Sequence, residues 1–161
     1  MIRPAAGGKA CDSEEKKTGD MNREEIKQIL PHREPMLLVD EAVLNEDGSA
    51  TGYYRVRGDE YFLQGHFPGN PIVPGVIQCE MMAQSACVLF SDRMNAGVTP
   101  VYTGLDKVRF RNMIKPGDLI RIDTKIIKGC HPLYQLHGEV SVDGKKCMSG
   151  DFSFALMGGK E

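Results

Sequence analysis

The chain has 161 residues, 41% of them hydrophobic and 26% charged, with a net charge of -2. That length fits one domain with a core of its own, and the composition excludes a chain disordered throughout. The near-neutral charge gives no cationic field for nucleic acid, and no run approaches the roughly 18 apolar residues of a membrane span.

Residues 1–20 differ from the rest. They carry Gly7 and Gly8, four basic and four acidic residues and no apolar period, so they read as a disordered extension. They lack the apolar region of a signal peptide, and their acidic residues argue against a transit peptide. A single domain is expected over 21–161. Asn22 and Glu25 have capping-box spacing, with Met21 and Ile26 placed for a hydrophobic staple. Ile26, Ile29 and Leu30 form one stripe of a short helix that Pro31 ends. The apolar stretch Met36–Leu44 and the run Thr51–Arg57 flank Asp47-Gly48, a hairpin turn signal. Val101–Ile114 reads as a strand broken near Gly104, turned by Pro116-Gly117 into Leu119–Lys128. In the latter, Ile120, Ile122 and Ile126 alternate with Arg121, Asp123 and Lys125. Tyr134, Leu136, Val140 and Val142 alternate in the same way, Asp143-Gly144 turns the chain, and Met148, Phe152, Phe154 and Leu156 follow on the same parity. The count is six strands, mostly hairpin-linked and so antiparallel.

Val76–Phe90 breaks the pattern: fifteen residues without Gly or Pro, apolar nearly all round. Such a helix is buried. A sheet curled around it gives an α+β architecture. Five cysteines contain no CxxC pair, so they read as reduced thiols of a cytoplasmic protein, and no metal site is expected.

The densest chemical signal is Gly65–Gly75. Three of the nine prolines fall between Pro68 and Pro74, each fixing φ and restraining the residue before it. A rigid loop of this kind holds His66 to tight tolerances as it enters the buried helix. Fourteen residues later comes Glu80, a carboxylate inside an apolar helix. Burial raises a carboxyl pKa, so Glu80 is expected to be un-ionised near neutrality and to serve as a general acid. Gln84, one turn on, is placed to hydrogen-bond it. The N–H groups around Gly75 and Val76 have no intrahelical acceptor and lie at the positive end of the helix dipole. A base, an acid and an oxyanion site suit removal of a proton α to a thioester carbonyl with loss of a β-hydroxyl as water. His32, flanked by Pro31 and Pro35, reads as structural; His131 and His137 have no partner motif.

Three segments, LPHREPMLLVD (Leu30–Asp40), GHFPGNPIVPGVIQCEMMAQ (Gly65–Gln84) and GLDKVRFRNMIKPGD (Gly104–Asp118), closely resemble the FabZ-type 3-hydroxyacyl-acyl-carrier-protein dehydratases of fatty-acid synthesis. The resemblance runs from about Met21 to Leu156. It implies the hot-dog fold, with His66 as base, Glu80 as acid, the Gly75 N–H on the thioester carbonyl and the Ile72 carbonyl orienting the imidazole. It also implies sites built across a homodimer, alone or in a trimer of dimers, with His66 and Glu80 from different chains. No cofactor is implied. The related FabA-type isomerising enzymes carry Asp at the acid position, so Glu80 favours the FabZ type. Cys79 stands where an aliphatic residue is usual. An acyl tunnel is expected along the helix near Phe67, Met81 and Met82. Lys107, Arg109 and Arg111, alternating on one face, form either a solvated sheet face or a landing site for an acidic acyl carrier protein. The rivals are another hot-dog activity, a thioesterase or CoA hydratase, and a non-catalytic acyl-binding module.

Overall fold

The computed structural model describes residues 19–94 and 97–159. The extension expected over 1–20 therefore lies outside the described residues except for Gly19 and Asp20, which form an edge strand. Among the described residues there are seven strands, one more than the sequence patterning counts: β1 (Gly19–Met21), β2 (Glu41–Leu44), β3 (Ala50–Arg55), β4 (Val98–Phe110), β5 (Leu119–Cys130), β6 (Leu133–Val142) and β7 (Lys145–Gly158). They form one antiparallel sheet in the order β1-β2-β3-β5-β6-β7-β4. The extra strand is the three-residue β1, too short to show a period.

Local chemistry accounts for most of the elements. Helix α1 (Arg23–Ile29) opens with the capping box: the Glu25 N–H donates to the Asn22 side chain at 3.0 Å, and the Asn22 N–H donates to the Glu25 carboxylate at 2.8 Å. Ile26 is fully buried and Met21 packs beside the core. Asp143 and Gly144 both have positive φ, 50° and 77°, as a two-residue β6–β7 hairpin requires. The alternation holds across strands: Val140 lies opposite Met148, Leu136 opposite Phe152 and Tyr134 opposite Phe154, all buried.

Two expectations are corrected. The apolar stretch Met36–Leu44 is a strand only from Glu41; residues 36–40 form a loop, buried at Leu37, Leu38 and Val39, whose backbone serves the helix below it. Pro116-Gly117 does not close a hairpin. β4 pairs with β7 at one edge while β5 pairs with β3 and β6, so the segment 111–118 carries the chain from the edge to the middle of the sheet. Backbone bonds secure this crossing, from Val73 N–H to Ile114 at 2.9 Å and from Gly117 N–H to Val56 at 2.8 Å. Turn residues signal a reversal, but they do not choose the strand's partner.

Helix α2 (Gly75–Cys87) continues as a 3₁₀ turn over Val88–Phe90. Eight of its 13 residues are buried, so its apolar surface is enclosed rather than laid on an edge. It contacts β3, β4, β5 and β6. Gly138 lies where a Cβ would run into the Met82 thioether, which lets β6 approach the helix closely. No helix among the described residues is long and apolar enough to cross a membrane.

Candidate active site

The loop entering α2 is tied to itself. The Phe67 N–H donates to Asn70 at 3.0 Å and the Asn70 N–H returns to Phe67 at 2.9 Å. Ile72 meets His66 twice: its N–H donates to the His66 carbonyl at 2.9 Å, and its own carbonyl lies 3.0 Å from His66 Nδ1. That second contact puts the ring proton on Nδ1 and leaves Nε2 free to accept one. The Phe67 ring stacks on the imidazole at 4.3 Å.

His66 lines an open groove of about 530 Å³ with Ile72, Gly75, Gln78, Phe110 and Arg111. The N-cap of α2 is Pro74, which offers no side-chain acceptor. The first-turn N–H of Gly75 has no partner among the described residues and lies at the positive end of the helix dipole. A Cβ on Gly75 would lie 2.8 Å from the Phe110 ring. Glycine here keeps the helix start open to an approaching oxygen.

Glu80 lies five residues further along α2. It lines a separate small cavity with His32, Ala83, Gln84, Cys87, Pro100, Tyr102 and Phe154. Its Oε1 accepts from Gln84 Nε2 at 2.9 Å and lies 3.3 Å from His32 Nε2. The Gln84 amide has no freedom to turn: its oxygen accepts the Leu38 N–H at 2.8 Å and its nitrogen also donates to the Met36 carbonyl at 2.7 Å.

The expectation of an un-ionised Glu80 is overturned in the single chain. Its pKa is lowered, chiefly by the hydrogen bond from His32 and then by that from Gln84, which together outweigh the opposing effect of burial. Its side chain is also 25% exposed. His32, read from the sequence as structural, touches the candidate acid through the same contact. The signal was present in LPHREP, a histidine locked between prolines, but nothing local placed it against a helix almost fifty residues away.

Of the expected tunnel residues, Met81 and Met82 are fully buried and Phe67 is half exposed at the loop. The cavity behind Glu80 is lined instead by Ala83, Cys87, Pro100, Tyr102 and Phe154. Residues three, four and seven positions from Glu80 share its face of the helix, and Met81 and Met82 do not.

The basic stripe is also altered. β4 bulges between Asp106 and Arg109, and Lys107 sits in the bulge at φ 53°. The extra residue breaks the alternation of Lys107 with the two arginines. Arg111 lines the His66 groove and donates to Ser149 at 3.2 Å.

Cys79 is buried against the Met148 sulfur at 3.8 Å, as a core-packing role requires, and the Tyr102 hydroxyl donates to its carbonyl. Burial pushes the Cys79 thiol up, and that of Cys87 up to about 12, so neither is a nucleophile near neutrality. Among the described residues no group of His, Cys, Asp and Glu is disposed to hold a metal ion.

Fold and site together define a hot-dog protein with a loop histidine at the start of its central helix and a glutamate further along that helix. The FabA-like domain profile matches residues 30–151. Over 137 residues the chain is 41% identical to the 3-hydroxyacyl-[acyl-carrier-protein] dehydratase FabZ of Clostridium perfringens, covering 84% of this chain and 99% of that one. It is 42% identical to the FabZ of Clostridium beijerinckii, with the same coverages. A chain of the dehydratase heterocomplex ApeI:P from Xenorhabdus doucetiae superposes with a TM-score of 0.72 at 23% identity, over 82% of this chain and 90% of that one. The fluoroacetyl-CoA thioesterase FlK shares the fold at a TM-score of 0.59 and 10% identity, over 68% and 84%. The chain belongs to the FabA-like family and, within it, to the FabZ 3-hydroxyacyl-[acyl-carrier-protein] dehydratases.

Proposed function

We propose that this protein dehydrates 3-hydroxyacyl thioesters carried on acyl carrier protein to trans-2-enoyl thioesters, in the cytoplasm, for fatty-acid biosynthesis. The observation that carries the reading is the pair of bonds between His66 and Ile72, which hold a free imidazole nitrogen beside the unpaired first-turn N–H of Gly75. His66 Nε2 removes the proton α to the carbonyl. The Gly75 N–H stabilises the negative charge that develops on the thioester oxygen. Glu80 gives a proton to the β-hydroxyl, the carbon–oxygen bond breaks, and water leaves as the double bond forms. Return of the proton from His66 to Glu80 through water resets the pair.

The two groups act from different chains. Within one chain, His66 and Glu80 line separate cavities on α2. The sheet ends at β4, a 13-residue edge strand carrying exposed Val101 and Leu105, the latter 50% exposed. An edge strand offers unpaired backbone N–H and C=O groups, and a second copy lying along it extends the sheet and brings the helices of two chains near one another. A homodimer, alone or in a trimer of dimers, supplies the composite site. Closure by the partner and the acyl chain removes solvent from Glu80, and that burial raises its pKa toward the protonated form an acid needs. Arg109, Arg111 and Lys107 attract the acidic carrier protein to the groove mouth.

The test is enoyl absorbance from a 3-hydroxyacyl-carrier substrate, with His66→Ala and Glu80→Gln alongside. Each substitution is expected to cut turnover by about 10²–10⁴-fold; wild-type turnover in both would reject the mechanism. The ionised Glu80 also fits a second reading, in which a carboxylate activates water for thioester hydrolysis. Release of free thiol without enoyl product would favour that reading.

A further inference from the structure

We infer that His32 is a positioning residue for Glu80: it and Gln84 hold one carboxylate oxygen, Oε1, so that the other, Oε2, is the atom that exchanges the proton with substrate. The inference rests on the reading of Glu80 as the acid.

Both donors converge on the same oxygen, His32 Nε2 at 3.3 Å and Gln84 Nε2 at 2.9 Å. Among the described residues Oε2 receives no hydrogen bond. A carboxylate rotates readily about its last bond, so two fixed donors on one oxygen are what distinguishes the two atoms. Gln84 is fixed by the Met36 carbonyl and the Leu38 N–H. His32 is fixed by its neighbours. Arg33 donates to the carbonyls of Lys27, Leu30 and His32 at 3.1, 2.9 and 2.7 Å, and Glu34 pairs with Lys27 and Arg23 at 2.9 and 3.1 Å. The segment that carries His32 is thus bolted to α1, and its imidazole reaches down to α2.

The other face of the ring sets its role. His32 Nδ1 is buried and, among the described residues, has no hydrogen-bond partner. A proton there would be an unmatched buried donor, so the ring carries its proton on Nε2 and presents it to Glu80. A buried Nδ1 also gives no exit for a proton relayed through the ring. The imidazole aims the carboxylate and favours its ionised form; it is not a shuttle.

The titratable groups that face Glu80 are His32 from the α1–β2 loop, Tyr102 from β4, and Cys79 and Cys87 on its own helix; the proposed partner adds its His66. Tyr102 and both thiols are pushed up and keep their protons near neutrality.

The experiment compares kcat, KM and the pH profile of kcat for full-length wild type, His32→Leu, His32→Gln and Glu80→Gln with a 3-hydroxyacyl-carrier substrate, and checks each fold by thermal melting. Loss of the His32 donor lets Glu80 keep its proton to higher pH. His32→Leu is therefore expected to move the alkaline limb of kcat up by about one pH unit. It is also expected to lower kcat by about 10- to 100-fold, with KM little changed, because Oε2 is no longer aimed. The glutamine amide reaches as far as Nε2 and restores both. If the leucine variant does not fold, His32→Asn, whose amide is too short to reach Oε1, carries the same expectation. A removal variant with wild-type kcat and limb, beside an inactive Glu80→Gln, overturns this inference alone. A lower kcat with an unmoved limb and no rescue by glutamine assigns His32 a merely structural role and also overturns it. Wild-type turnover in Glu80→Gln overturns the underlying acid assignment.

Discussion

Gly75 has no side chain where the Phe110 ring would meet one, and the two together shape the entrance to the groove. Phe110 is itself more than half exposed, so it can swing outward without disturbing the core. Gly75→Ala is expected to leave the melting temperature nearly unchanged while narrowing the oxyanion site. A displacement of about 1 Å at a reacting centre costs on the order of 10²-fold in rate. Steady-state kinetics beside a thermal melt checks this: equal losses of stability and turnover would point to misfolding instead. Glu80 carries the other residue-scale lesson. Burial alone predicts a protonated carboxyl, yet donors at 2.9 and 3.3 Å reverse the sign in the isolated chain. Whether a buried acid is charged depends on which neighbours reach it, more than on how apolar its own helix is.

At the scale of elements, α1 is a short helix that cannot persist alone. Its capping box, its buried Ile26 and the ionic cluster of Lys27, Arg23 and Glu34 hold it to the segment bearing His32. Asn22→Ala removes the acceptor for the Glu25 N–H and is expected to destabilise the protein by about 1 kcal/mol, read as a lower melting temperature. The Glu34 carboxyl is held at about 2, below its ordinary 4.5, chiefly by the hydrogen bond from Lys27. A depressed carboxyl pKa contributes stability that is present above 4.5 and is lost as the pH falls toward 2. Exposure to solvent keeps that contribution small. The protection factors of the α1 amides, corrected for the intrinsic pH dependence of exchange, should fall across that window in wild type and fall less in Glu34→Gln; identical profiles would exclude the linkage.

The whole molecule raises the question of assembly. β4 ends the sheet as a 13-residue edge, whereas the opposite edge, β1, has three residues. Exposed Val76 and Met113, 76% and 63% exposed, flank the groove next to that long edge. If each site takes His66 from one chain and Glu80 from another, His66→Ala and Glu80→Gln should complement each other. Mixed and allowed to exchange, they should recover about a quarter of wild-type activity, since half the dimers are mixed and each mixed dimer has one intact site of two. No recovery after demonstrated subunit exchange would place both groups within one chain. Leu105→Arg at the β4 edge should reduce both dimer content and turnover, which sedimentation and the enoyl assay measure together.

The amino-acid pattern alone determined what is local or periodic. The capping box at Asn22, the Asp143-Gly144 hairpin, the inward parity of β5 to β7, the buried helix and the loop that orients His66 all depend on residues close in sequence, whose geometry follows from φ preferences and side-chain spacing. The dehydratase resemblance in Gly65–Gln84 was legible for the same reason, because both proposed reacting residues fall within one continuous segment. Tertiary structure decided the rest: that β4 pairs with β7 and not β5, that the cavity behind Glu80 is lined by Pro100, Tyr102 and Phe154, and that His32 reaches Glu80 across 48 positions of sequence. Those contacts join segments remote along the chain. Their pairing is set by how the whole sheet packs around α2, which no local propensity encodes.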